Sequence, residues 1–373
     1  MREDSSWIWQ SREYPHFVYD TKKVEILIES ISRKQGELKI LSRVINSKTL
    51  LQTQLNTLES EIISSFAIEG EILDRDSLKS SIKERLAIEL SHSYQKDSKE
   101  SSFVDILLDA HSSYADDLTI EKLCKWHHKM FENYHSNLWQ IAVGKFRDSG
   151  TMQIVSGVIG KQKVFYEAPP STQLDKEMQD YLEWFNHTPA SLMKATIAHL
   201  WFVIIHPFDD GNGRLTRVIT DMVLSELEES PTTRLYSMSK SINSSKKGYY
   251  QALEHTTGYI LKDAPMDITY WCEWFLQTLL HSIDEAIDSI AYVVEKAKFW
   301  DTHRNSRFND RQTQVLNALL DRDIERINTK KYMKITQTSS ATASRDIKEL
   351  VSMKCIKQVE GSAGRNIRYE IFP

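Results

Sequence analysis

"ASLMKATIAHLWFVIIHPFDDGNGRLTRVITDMVLSEL", residues 190–227, decides the fold. Its first part becomes apolar nearly all round towards Ile205, the mark of a helix buried at the centre of a domain. Pro207 ends that helix. A residue before proline is pushed out of α geometry, so His206 is expected at the mouth of the buried helix and not inside it. Gly211-Asn212-Gly213 makes a turn suited to glycine-like backbones, and a second helix follows from Arg214. Helix N-termini expose unpaired N–H groups and a partial positive charge, which favours phosphate. Arg214 and Arg217, about one turn apart, can line one side of that N-terminus. Asp210 stands just ahead of the turn, where a carboxylate can hold Mg²⁺ against the same phosphates. His206 faces this place from the previous helix and can take a proton from an attacking hydroxyl. The stretch reads as a phosphate cradle with a metal ligand on one side and a general base on the other. It is not a Walker A loop, since the sequence holds no G-x-x-x-x-G-K-[ST].

Outward from this centre the chain reads mainly as α-helix. Glycine and proline are scarce, at 12 and 8, and apolar residues recur at helical spacing. Residues 24–73 read as two long helices broken near Lys34 to Gly36. Residues 101–115 and 119–134 read as two more, with Thr119 as N-cap of the second. The polar stretch 93–102 reads as a surface linker. "MQIVSGVIGKQKVFYEAPP" breaks the pattern, with β-prone segments at Gln153–Ser156 and Val164–Tyr166 around a loop containing Gly157 and Gly160. This predicts a β-hairpin in an otherwise helical domain. The stretch beginning "DITYWCEWF" reads as an amphipathic closing helix. His127 and His128 are adjacent, a poor geometry for one metal. His199, on the buried helix, is expected to be a hydrogen-bonded core residue.

Composition sets bounds. A chain of 373 residues suggests two or three domains, and a net charge of −5 does not advertise a nucleic-acid or membrane partner. Cys124, Cys272 and Cys355 lie far apart, which fits reduced thiols in a cytoplasmic protein. The N-terminus lacks the apolar core of a signal peptide, and no run approaches the ~18 apolar residues of a membrane span. The tail differs: residues 305–373 carry a net charge of +5, against −10 for the rest. The tail reads as helix, helix-turn-helix and a two-stranded ribbon around Gly361 and Gly364. That order resembles a winged helix-turn-helix domain. Its second helix is expected to turn Thr342, Arg345 and Lys348 outward and Ile347, Leu350 and Val351 inward, which suits a DNA major groove. Docking of a protein fits the same fold.

Residues 206–217 resemble the Fic motif, H-P-F-x-[DE]-G-N-G-R-x-x-R, and match every defined position. The resemblance implies a Fic-type helical bundle with a hairpin flap, and an enzyme that moves AMP from ATP to a Ser, Thr or Tyr hydroxyl of a target protein. His206 would deprotonate that hydroxyl, Asp210 would ligate Mg²⁺, and Phe208 would anchor the loop. Asn212, Gly213 and Arg214, with Gly211 before them, would form the anion cradle, and Arg217 would grip the γ-phosphate. Asp209, at the variable position, is expected to be solvated. The hairpin would be the flap, with Ile154, Val155, Val164 and Phe165 on its strands, and the target would pair with it as an added strand. "SSFAIEGE" (64–71) resembles the Fic inhibitory motif [ST]-x-x-x-E-[GN] at Ser65, Glu69 and Gly70. Its glutamate would pair with Arg217 and misalign ATP. Glu71 is expected to face away into solvent. Lys240 and Tyr250 lie where the family completes its nucleotide pocket. "WIWQSREYPHFVYD" is similar to the start of an uncharacterised domain found ahead of some bacterial Fic domains, and its aromatic side chains are expected to pack as a staple on the core.

The expected organisation is therefore an N-terminal helical domain (1–95) carrying the inhibitory motif, a catalytic domain (96–300) and a winged helix-turn-helix domain (305–373). Two functions of different class remain: an auto-inhibited adenylyltransferase, able also to modify itself or remove AMP, and a DNA-binding regulator with a nucleotide-sensing domain. The sequence leaves a homodimer open.

Overall fold

A computed structural model describes residues 5–86, 98–132, 141–148, 150–156, 163–229, 234–258, 260–261, 264–362 and 367–372. The flap loop, with Gly157 and Gly160, lies outside these residues, as does Gly364. Two units partition the chain, Met1–Asp288 and Ser289–Pro373.

The first unit opens with strand β1 (Ser5–Ser6), a short 3₁₀ turn and β2 (Phe17–Val18). Helix α1 (Thr21–Val44) follows, capped by the Asp20 carboxylate. It runs straight through the expected break at Lys34–Gly36. Its stripe of Val24, Ile31 and Leu38 is buried, and that packing outweighs the ~1 kcal/mol a mid-helix glycine costs. The chain breaks later, at Ile45–Asn46, where Asn46 caps α2 (Ser47–Ile68) by accepting from Thr49 N. Then come α3 (Arg75–Arg85) and α4 (Lys99–Ser112). Part of the expected linker thus belongs to α4, because the Ser98 side chain accepts from Ser101 N and caps it. Helix α5 (Ile120–Phe131) has Thr119 as its cap, as read from the sequence. Strands β3 (Gln153–Ser156) and β4 (Lys163–Glu167) pair antiparallel, with a register shift between Ile154 and Val155.

Helix α6 (Leu174–His187) leads to the central pair, α7 (Leu192–Ile205) and α8 (Asn212–Leu227). Both are buried over most of their length: α7 as its near-continuous apolar sequence requires, and α8 with Arg214, Arg217 and Asp221 buried among its apolar residues. His199 is indeed a satisfied core residue: its Nδ1 lies 2.9 Å from Thr220 Oγ1 and its Nε2 3.0 Å from Tyr249 Oη. Helices α9 (Met238–Ser244) and α10 (Lys246–Thr257) follow, then β5 (Ile260–Leu261) and β6 (Met266–Asp267). The two last strands pair with β1 and β2, which ties the N-terminal segment into the unit. The N-terminal aromatic residues do act as a staple. Trp201 Nε1 donates to Tyr14 Oη at 2.8 Å, Trp9 Nε1 donates to Glu167 O at 2.7 Å, and Trp7 meets Tyr166 edge to face. Helix α11 (Thr269–Thr302) starts in this unit, where Trp271, Phe275, Leu276, Leu279 and Ile283 are wholly buried.

The second unit contains α12 (Asp310–Leu320), α13 (Thr329–Thr336), α14 (Ser340–Ser352) and the antiparallel pair β7 (Ile356–Gln358) and β8 (Tyr369–Ile371). Its core is Val315, Leu316, Ile327, Tyr332, Ala343, Ile347, Leu350, Cys355 and Ile356. Arg345 and Lys348 are exposed as expected, while Thr342 is half-buried. Val351 is 38% exposed and not inward. The inward face of α14 is instead Ala343, Asp346, Ile347 and Leu350, one position out of phase with Val351 at 3.6 residues per turn.

Candidate active site

The site begins where α7 stops. His206 closes that helix in the left-handed region, at φ 50° and ψ 58°, with its N–H still donating to Phe202 O at 3.0 Å. Its Nδ1 lies 3.4 Å from Val203 O, a weak contact that assigns the proton to Nδ1. Nε2 has no hydrogen-bond partner among the described residues. Burial pushes the imidazole down to about 4, with the Arg147 charge acting in the same direction against the nearby carboxylates of Glu69 and Asp210. The ring is therefore neutral at pH 7, with a free lone pair.

The loop after His206 is pinned at both ends. Asn212 donates from Nδ2 to Phe208 O at 2.7 Å and accepts at Oδ1 from Phe208 N at 3.0 Å. Phe208 is fully buried and stacks on His127, 4.2 Å centroid to centroid. His127 is itself a support for the loop: it accepts at Nδ1 from Gly144 N at 2.9 Å, so Nε2 carries the proton and donates to Asp210 O at 3.1 Å. Asp209, expected in solvent, accepts from Ala142 N at 2.9 Å and so ties the loop to the segment ahead of the hairpin. Arg147, only 2% exposed, donates from Nε to His206 O at 2.8 Å and from Nη2 to Pro169 O. With Nη2 also 3.4 Å from Ile205 O, it serves two carbonyls at the C-terminus of α7 and complements the helix dipole there. Tyr166 of β4 donates to Ile204 O at 2.7 Å. Hairpin and helix end are thus one assembly. Among the described residues the hairpin is a two-stranded sheet, and Trp9 Nε1 takes the Glu167 carbonyl at the end of β4. Ile154, Val164 and Phe165 are half-buried.

Gly211, at φ +80°, turns the chain into α8. Asp210 is exposed beside that turn, its Oδ1 accepting from Gly211 N at 2.6 Å and lying 3.4 Å from Arg214 Nη2. Arg214 and Arg217 are 1% and 3% exposed. Arg214 stacks its guanidinium on Phe66 and Phe131. Arg217 donates from Nε to Ser65 Oγ at 2.8 Å, and from Nη2 to Ser65 O at 2.9 Å and Glu69 Oε1 at 2.8 Å. Its Nη1 is buried without a hydrogen-bond partner among the described residues.

Ser65, Glu69 and Gly70 are thereby brought to the loop from the far end of α2. Glu69 is the C-cap of that helix, and Gly70 follows at φ +83°. Gly70 N donates to Ala67 O and Glu71 N to Phe66 O, the paired bonds of a Schellman cap. Burial alone would raise the Glu69 carboxyl, but the Arg217 charge and hydrogen bond win and hold it below the ordinary range. Glu69 also lies over the first turn of α8, where a Cβ on Gly213 would collide with Glu69 Oε1. Glu71 does not face away. The reversal at Gly70 ends the helical phase on which that expectation rested, and Glu71 accepts from Arg214 Nη1 at 2.8 Å. Carbonyls at the end of α2 also accept from α10: Lys246 Nζ donates to Ala67 O at 3.1 Å and Tyr250 Oη to Ile68 O at 3.2 Å. Tyr250 thus stands at this site. Lys240 pairs with Glu285 at 3.1 Å and makes no ion pair with the loop.

Chemically, a helix N-terminus and two buried guanidiniums converge on a place faced by a neutral imidazole. A buried Nη1 without an acceptor fits an oxygen of a phosphate chain. Asp210 offers one exposed carboxylate. Among the described residues no cluster of three or more metal-ligating side chains occurs. A divalent cation here would therefore take its other ligands from phosphate and water, as Mg²⁺ commonly does.

Residues 117–224 match the family described as "Fic/DOC family", and residues 7–88 match a "Domain of unknown function (DUF4172)". The chain is 28% identical over 112 residues to the protein adenylyltransferase fic-1 of Caenorhabditis briggsae, and 26% identical over 113 residues to that of Caenorhabditis elegans. Each alignment covers 29% of this chain and only 19% or 20% of the relative, so the chain spans about a fifth of their length. A crystal structure of a Fic family protein from Desulfovibrio desulfuricans G20 superposes with a TM-score of 0.54 at 20% identity, covering 94% of this chain and 96% of that one. The fold is shared over nearly the whole length. No helix among the described residues is long and apolar enough to cross a membrane.

Proposed function

We propose that this chain, which carries a Fic/DOC family domain over residues 117–224, transfers AMP from ATP to a hydroxyl of a target protein. The observation that carries the reading is the convergence of the α8 N-terminus, Arg214 and Arg217 on one place beside the neutral His206 ring. The triphosphate lies along that N-terminus, gripped by the two guanidiniums. Asp210 would hold Mg²⁺, which would supply neutralisation of phosphate charge. His206 Nε2 accepts the proton of the target hydroxyl as its oxygen attacks the α-phosphorus and pyrophosphate leaves. Arg147 and His127 position the imidazole and the loop without touching the reacting atoms. A target segment adds to an edge of the β3–β4 hairpin and brings its hydroxyl to His206.

In the state described here both arginines are engaged, Arg217 by Glu69 and Arg214 by Glu71. A guanidinium paired with a carboxylate cannot also hold a phosphate in the same geometry, so transfer is held back. Glu69 in that position can also orient a water, which gives AMP removal at the same site. Mass spectrometry of lysate proteins treated with Glu69→Gly chain and ATP tests the reading. It predicts AMP on hydroxyl side chains, and on the chain itself. Finding none with an ATP-binding, folded variant sinks it.

A further inference from the structure

The second unit carries a charge arrangement that the transfer reading does not use. Helices α13 and α14 contain two carboxylates, Asp346 and Glu349, and both are turned towards α12. Asp346 is 1% exposed and accepts from Arg311 Nε at 2.9 Å and Tyr332 Oη at 3.0 Å. Glu349 accepts from Gln312 Nε2 at 2.8 Å. The opposite side of the two helices presents Lys330, Lys334, Arg345 and Lys348. All four are exposed, and among the described residues none makes a hydrogen bond or ion pair. The unit's other exposed acids lie off these two helices: Glu295 and Asp301 on α11, Asp310 at the start of α12, Asp321, Asp323 and Glu325 in the α12–α13 connection, and Glu360 after β7.

Geometry adds to charge. Helix α13 ends at Gln337 in the left-handed region, at φ 50°, and Ser339 caps α14 two residues later. This is a short helix-turn-helix. The N-terminal turns of α14 expose Ser340, Ala341 and Arg345, with Lys348 one turn further on. Small residues at the tip let a helix enter a groove ~12 Å wide. An arginine behind them has the two parallel donors that guanine presents acceptors for. Cations on the preceding helix stand where phosphates flank the groove.

We infer that α14 is a reading helix for double-stranded DNA, with Arg345 and Lys348 at the groove and Lys330 and Lys334 on the backbone. An acidic protein partner would meet the same charges but has no use for the small residues at the helix tip.

The test uses the full chain and a randomised duplex DNA pool, read by fluorescence polarisation and by sequencing of the retained fraction. Duplex should be retained at about 50 mM salt, with affinity falling steeply towards about 200 mM. Arg345→Ala/Lys348→Ala should weaken binding at least about tenfold and reduce the salt slope by about two, one for each cation removed. Lys334→Ala should weaken all sequences alike, whereas Arg345→Ala should change which are retained. A thermal melt matching wild type establishes that each variant is folded, and Lys348→Gln repeats the test with the charge alone removed. No retention at low salt, equal affinity after the double substitution, or single-stranded RNA or heparin bound as tightly as duplex would each overturn the inference.

Discussion

His206 is held by backbone rather than by charge. Its left-handed φ, its weak contact to Val203 O and the Arg147 clamp on its own carbonyl fix the ring, and burial keeps it neutral down to about pH 4. The sign of the pH effect follows. A general base works only unprotonated, and an imidazole whose pKa is lowered stays unprotonated further into acid. The acid limb of kcat/KM for Glu69→Gly is expected no higher than about pH 4, since Glu69 raises the imidazole and its removal lowers it further, rather than near the unperturbed value of about 6.5. An initial-rate profile with a break near that ordinary value would contradict this role. Glu71 gives a second test at the same scale. On the proposed reaction, removing its charge would free Arg214 for phosphate. In the Glu69→Gly background, Glu71→Gln should lower the KM for ATP about tenfold, the worth of one charge-assisted hydrogen bond. A KM that rises would make Glu71 a support for the arginine instead of a competitor for it. What was legible here was contiguous: all of 206–217 sits in one stretch of sequence. His127, Arg147 and Asp209 were not legible as parts of the site. Their partners are backbone atoms brought near by tertiary packing, which no residue spacing encodes. Glu71 was misread because helical phase was carried past the glycine that ends it.

At the scale of elements, the end of α2 is the decisive piece. Its Schellman cap at Gly70 puts Glu69 and Glu71 on two arginines at once. Space around Gly70 is open, with nothing within 4 Å of an added Cβ. A substitution there therefore acts through backbone conformation alone. Gly70→Ala should cost roughly 1 kcal/mol in the left-handed position, loosen the cap and raise transfer several-fold, while leaving the helices around it intact. Circular dichroism unchanged with no gain in transfer would separate the cap from the inhibition. The helix and strand assignments around the site were mostly readable, because caps such as Thr119 and the apolar α7 run leave local marks. The break after α1 was not. Gly36 carries the local signal, but burial of the stripe from Val24 to Leu38 overrides it.

Across the whole chain, the sequence marked a basic tail distinct from an acidic remainder, and the structure divides into Met1–Asp288 and Ser289–Pro373. The N-terminal segment belongs to the first unit through β1, β2 and the aromatic contacts at Trp201 and Glu167. Those contacts join residues far apart in sequence and left no periodic trace. The proposed function comes down to one chemical event, attack at the α-phosphorus under the control of Glu69. The most direct measurement compares label transfer from ATP carrying its label in the α- or the γ-phosphate. We expect α-label alone on Glu69→Gly chain, little on wild type, and none on Glu69→Gly/His206→Ala. Label arriving from the γ-phosphate, or α-label that persists without His206, would contradict it.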